Sequence, residues 1–92
     1  MKMDVREMCR GFSLLSDPTR LGILRLLAKG PRNVTALCQA LRIKQPTVSH
    51  HLGLLRMGRL VNGVRRGKAV MYAADKAALK ALASRLTAVM PR

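Results

Sequence analysis

A chain of 92 residues accommodates one domain and one modest core, and leaves any second apolar face for a partner to cover. Hydrophobic residues make up 49% of it, yet one Phe, one Tyr and no Trp restrict that core to aliphatic side chains and Met. Eighteen Lys and Arg against four Asp and Glu, a net charge of +14, point to a polyanionic partner and leave few carboxylates for acid-base catalysis.

Residues 4–16 place Val5, Met8, Phe12 and Leu15 at helical spacing with polar residues between them, which predicts an amphipathic first helix. Asp17 followed by Pro18 is a start signal, because Asp caps free amides and Pro suits the first helical position. The second helix then runs through Leu21, Leu24 and Leu27 and stops at Gly30-Pro31. Asn33 caps a short third helix carrying Val34, Leu37, Cys38 and Leu41, too short to stand without neighbours. Arg42-Ile43-Lys44 is a tight link to a fourth helix from Gln45 to Met57, with Pro46 in its first turn and Gly58 as a left-handed stop. Past Leu60 the period becomes extended: Val61–Arg66 and Ala69–Tyr72 flank Gly67 as a basic hairpin. From Asp75 a last helix carries Leu79, Leu82, Leu86 and Val89.

Charge is concentrated in the middle. Residues 31–74 hold eight basic residues and no acid, so this stretch lacks neutralising partners. Two cysteines, Cys9 and Cys38, without CxxC spacing, exclude a disulfide scaffold and fit a reducing cytosol. There is no N-terminal apolar run and no apolar stretch of the roughly 18 residues that span a bilayer, so neither secretion nor membrane insertion is expected and the expected location is the cytoplasm. No triad, HExxH or phosphate-cradling glycine loop is present, and neither enzyme activity nor a cofactor or metal is expected.

Two short helices joined by three residues and followed by a basic hairpin are the parts that lay a helix in a major groove. Rotating the fourth helix by 100° per residue gathers Val48, Leu52 and Leu55 on a core side. Pro46, Thr47, Ser49, His50 and Gly53 take the opposite arc, and Gln45 the N-terminal end. Small or hydrogen-bonding side chains suit close approach to base edges, so Gln45, Thr47, Ser49 and His50 are the candidate base readers. Arg56, Arg59, Arg65, Arg66 and Lys68 are candidates for the DNA backbone and the wing. Lys44 joins them, because a cation at a helix N-cap opposes the dipole unless a phosphate lies nearby. His51 leans to the apolar side and is expected to be packed and hydrogen-bonded, and adjacent His50 and His51 point too far apart to chelate one ion. Gly53 is expected to allow close packing or close backbone approach.

The residues Ser16-Asp17-Pro18-Thr19-Arg20-Leu21, Gln45-Pro46-Thr47-Val48-Ser49-His50-His51-Leu52, Arg65-Arg66-Gly67-Lys68 and Tyr72 together resemble the ArsR/SmtB repressors. The resemblance implies a winged helix-turn-helix, mainly α with a small β-hairpin before the fifth helix, dimerised through its first and last helices and reading a palindromic operator. The open apolar residues Met8, Phe12, Leu82, Leu86 and Val89 are the interface expected for such a homodimer. The family's metal-sensing Cys-x-Cys would fall on Asn33 and Thr35, and the last helix holds no His, Cys or Glu, so the usual metal ligands are missing. Cys9 and Cys38 remain as candidate soft-metal ligands or a thiol switch, against the commoner role of buried small hydrophobes.

The expectation is a single domain over residues 1–92, with dimerisation helices at both ends, that binds double-stranded DNA and represses transcription by occupying a promoter. The sequence names no inducer and no operator. Two rivals are set beside it: a nonspecific nucleoid or RNA-binding basic protein, which the polar arc of the fourth helix disfavours, and an enzyme or partner-regulating protein that uses this fold only as a docking module, for which no sequence feature supports catalysis.

Overall fold

The computed structural model describes residues 4–90 and contains α1 (Val5–Leu15), α2 (Pro18–Leu27), α3 (Val34–Leu41), α4 (Gln45–Met57), β1 (Val61–Arg66), β2 (Ala69–Ala74) and α5 (Lys76–Val89). Residues 1–3 and 91–92 of the expected domain lie outside the described residues. Among the described residues no helix is long and apolar enough to cross a membrane.

Four helices begin on a side-chain cap. Asp4 accepts from Glu7 N, Asp17 from Arg20 N, Asn33 from Ala36 N and Asp75 from Ala78 N, all at 2.8–3.0 Å. Each satisfies an amide that the first turn would otherwise leave free, and the three carboxylates also oppose the positive end of the helix dipole. The caps at Asp17, Asn33 and Asp75 stand where the sequence places them, and Asp4 caps the helix expected over residues 4–16.

The core lies where α2, α3 and α4 meet the base of the hairpin. Ile23, Leu24, Leu27, Leu37, Val48, Leu52, Leu55, Leu60 and Val61 form one buried cluster, fringed by Leu14, Leu15, Tyr72 and Leu79. Each such side chain contributes on the order of 2 kcal/mol by leaving water. The second helix turns slightly from the expected stripe: Ile23 is buried beside Leu24 and Leu27, and Leu21 is exposed. Ile23 lies on the side of α2 that meets α3 and α4, an orientation set by those neighbours.

The hairpin pairs antiparallel from Val61↔Ala74 to Arg66↔Ala69. β2 therefore runs two residues beyond the expected Tyr72, because Ala73 and Ala74 continue the ladder opposite Asn62 and Val61. Gly67 adopts φ 62° in the connecting turn, a conformation that costs glycine little. Tyr72 also exchanges backbone hydrogen bonds with Arg32 at 2.8 and 3.0 Å, so residue 32 covers the far edge of β2.

The end of α4 differs from expectation. Gly58 has φ −80°, and the left-handed residue is Arg59 at φ 61°. Space favours glycine at 58 instead, because a Cβ there would run into the end of the Leu14 side chain of α1 and force it to move. Leu82 also departs from the open face assigned to it: it is only 4% exposed, packed on α1 of its own chain.

Candidate nucleic-acid interface

α3 and α4 are joined by three residues whose backbone makes the corner. Arg42 closes α3 in the left-handed conformation at φ 56°, and its N–H donates to Cys38 O. Ile43 N donates to the same carbonyl at 3.2 Å. Lys44 is extended and leads into α4. The corner thus uses up carbonyls that the end of α3 would leave free.

Val48, Leu52 and Leu55 are buried on the core, which turns the opposite arc of α4 to solvent. Gln45, Thr47, Ser49, His50 and Gly53 are all exposed there. None of the side chains of Gln45, Thr47 and Ser49 makes a hydrogen bond among the described residues, so their donors and acceptors are available to an outside partner. Thr87 of α5, by contrast, folds its hydroxyl back on Ala83 O at 3.0 Å. Arg56 follows Ser49 at seven residues, which places it on the same flank two turns on.

A Cβ added to Gly53 would meet nothing within 4 Å. Packing within the chain therefore does not account for this glycine.

The N-terminus of α4 is unlike the other four. Lys44 makes no side-chain cap hydrogen bond, and Pro46 removes one of the donors that a cap would serve. A cation at the positive end of the helix dipole and an uncapped first turn leave this end of α4 receptive to an anion.

Arg65, Arg66 and Lys68 are exposed at the hairpin tip, while Arg56 and Arg59 are exposed at the C-terminal end of α4 and just beyond it. The structure thus brings the base-reading candidates onto one arc of one helix, and distributes the backbone candidates between its two ends and the wing. Cys9 is exposed on α1, and Cys38 is half-buried in α3 against the core. Among the described residues no three or more His, Cys, Asp and Glu stand together as a metal site.

Behind the exposed arc of α4 lies a contact whose second residue the sequence did not single out. Arg20, on the first turn of α2, donates from Nε to Leu14 O at 2.7 Å and places Nη1 3.1 Å from Nδ1 of His51. His51 is packed and hydrogen-bonded as expected, with Asp17 Oδ2 3.9 Å from the same ring nitrogen. The Asp17 carboxyl is held below its usual range, chiefly by the backbone N–H of Arg20 and further by the nearby positive charge. The available signals were the three-residue spacing of Asp17 and Arg20 and a histidine leaning to the apolar side of α4.

Residues 17–62 match the family described as bacterial regulatory protein, arsR family. The chain is similar to the transcriptional repressor SdpR of Bacillus subtilis, at 32% identity over 69 residues that cover 75% of this chain and 77% of that one. It is 47% identical over 62 residues to the arsenical resistance operon repressor of Escherichia coli, across 66% of this chain and 53% of the repressor. The chain thus spans about half the length of that relative. Its fold is similar to the homodimeric winged helix-turn-helix DNA-binding domain of Mycobacterium bovis Mb0332, with a TM-score of 0.78 and 29% identity over 92% of this chain and 80% of that one.

Proposed function

This chain belongs to the arsR family of bacterial transcriptional regulators, and we propose that it works as a homodimeric repressor whose two α4 helices read a palindromic operator in double-stranded DNA. The family is one of repressors and not of enzymes. The observation that carries the reading is the exposed arc of α4, where Gln45, Thr47 and Ser49 hold unpaired hydrogen-bonding groups and His50 stands beside them. Gln suits adenine, and Ser and Thr suit several bases. Gly53 would let the backbone approach the duplex.

Lys44, Arg56, Arg59, Arg65, Arg66 and Lys68 would neutralise phosphates on both sides of the reading helix, with the wing tip alongside the duplex. Such contacts make affinity fall steeply with salt and add little sequence preference.

Dimerisation is supported by apolar surface left open on α1 and α5. Met8 and Phe12 are half-buried, while Leu86 and Val89 are 54% and 63% exposed. Two copies joined there would present their reading helices to half-sites about one helical turn, roughly 34 Å, apart. The work of such a protein places it at the nucleoid in the cytoplasm.

The test is a mobility-shift titration against the DNA upstream of the chain's own reading frame, with random DNA as competitor at fixed salt. A retarded species that survives random competitor supports the reading. Equal displacement by any DNA or by RNA would make it a nonspecific basic protein.

A further inference from the structure

Arg20 belongs to α2, yet its guanidinium joins three helices. Nε and Nη2 donate to Leu14 O and Ser13 O, at 2.7 and 3.3 Å, which close the C-terminal end of α1. Nη1 reaches Nδ1 of His51, in the middle of α4, at 3.1 Å. A guanidinium nitrogen can only donate, so Nδ1 is the acceptor and neutral His51 carries its proton on Nε2. Protonation of the imidazole puts a hydrogen on Nδ1, removes that acceptor and sets a cation against Arg20. Asp17 Oδ2 lies 3.9 Å from the same nitrogen and offers the imidazolium an alternative partner.

The other titratable group near this point is His50 of α4, whose ring centroid is 5.3 Å from that of His51. Among the described residues, the α1 groups hydrogen-bonded to Arg20 are the carbonyls of Ser13 and Leu14, while α2 contributes Arg20 itself and its cap Asp17. His51 is 15% exposed, so solvent protons reach it while the contact stays largely shielded from water.

We propose that Arg20 and His51 are positioning residues that hold the reading helix in register with α1, and that a proton on His51 transfers its ring from Arg20 to Asp17 and weakens operator binding. The physical reason is leverage. α1 and α4 are tied at this point by a fork with fixed geometry, and the dimer places each α4 through its own α1. If the fork lets go, the core contacts of Val48, Leu52 and Leu55 still hold α4, but nothing ties it to the end of α1, so its position relative to the dimer interface is less fixed. The proposal rests on the operator reading above, so its test includes a measurement that needs no DNA.

In the free protein, the ¹⁵N shifts of the His51 imidazole should show Nδ1 unprotonated in the neutral ring. A proton found on Nδ1 in the neutral ring overturns the proposal whether or not DNA is bound. Operator affinity is then followed from about pH 8 to about pH 5.5, the range in which histidines exchange protons. The wild-type chain should lose about tenfold more affinity than His51→Asn, the scale of one charge-assisted hydrogen bond. Asn places an acceptor oxygen near the position of Nδ1 and does not titrate, so His51→Asn should match the wild type at the alkaline end and lack the acid transition. His50→Asn, at a proposed base reader, should bind the operator more weakly at every pH but keep the transition. Arg20→Lys, which has no fork, should bind about tenfold more weakly at the alkaline end and lose the pH dependence; if it fails to fold, His51→Asn carries the test. A transition that persists in His51→Asn, or that disappears in His50→Asn, sinks the idea. A wild-type chain that selects no operator at any pH brings down the repressor reading instead and leaves the imidazole measurement standing.

Discussion

Leu82 fills the notch that Gly11 leaves in α1: a Cβ at Gly11 would stand 2.8 Å from Leu82 Cδ1. This contact divides the apolar face of α5 into two parts, with Leu82 inside the protomer and Leu86 and Val89 outside it. The substitutions Leu86→Glu and Val89→Glu together should therefore leave a folded monomer. Sedimentation equilibrium should show half the mass of the wild-type species, and operator affinity should fall because one reading helix acts alone. Leu82→Ala should act differently, lowering stability by about 2–5 kcal/mol as a core truncation. An unchanged mass for the Glu pair would remove α5 from the proposed interface.

Lys44 sets stability against binding. Lys44→Ser supplies the side-chain acceptor that α4 lacks and should raise stability by about 0.5–1 kcal/mol in denaturant titration. The same change removes a cation from the helix end proposed to meet a phosphate, so operator affinity should fall. A variant that gains in both measurements would separate Lys44 from DNA.

The wing is expected to act through charge. Arg65→Ala, Arg66→Ala and Lys68→Ala combined should change stability by no more than about 0.5 kcal/mol, because all three side chains are exposed. In a plot of log affinity against log salt, the slope should shrink by about 0.9 for each phosphate that is no longer neutralised. The order of preference among operator sequences should survive. An unaltered salt slope would take the hairpin tip off the DNA.

Asp17 predicts how the fold responds to acid. Its carboxyl is held below the ordinary 3.8, so the unfolded chain binds its proton first as pH falls. The stability it contributes is fully present above the unfolded value and is lost as pH falls below 3.8 through the folded one. Asp17→Asn keeps a capping oxygen but not the charge. Its thermal midpoint should therefore lie below that of the wild type at neutral pH, and the gap should narrow below 3.8. A gap that stays constant across that range would mean that the charge of Asp17 is not what stabilises the start of α2.

Much of this protein was legible before any fold was known. The caps at Asp17, Asn33 and Asp75, the span Gln45–Met57, the buried set Val48, Leu52 and Leu55 and the exposed set Thr47, Ser49 and His50 all depend on residues within a turn or two of one another. Helical periodicity and capping act at that range, so residue types in order were sufficient. The concentration of positive charge between residues 31 and 74 is likewise a property of composition, and it pointed to a polyanion without any geometry.

The tertiary structure decided what depends on distant elements meeting. Leu82 and Leu86 are both leucines on one helix, and only the approach of α1 at Gly11 buries one and leaves the other open. Gly58 reads as a left-handed stop until Leu14 of α1 is seen to occupy the space of its missing Cβ. Arg20 looks like one more cation among eighteen until its fork is found between Leu14 O and His51, 31 residues away. Short-range steric and hydrogen-bonding rules act on neighbours in the chain and can be read in order. Burial and side-chain pairing across elements depend on how those elements pack, and that is settled only when the whole core closes.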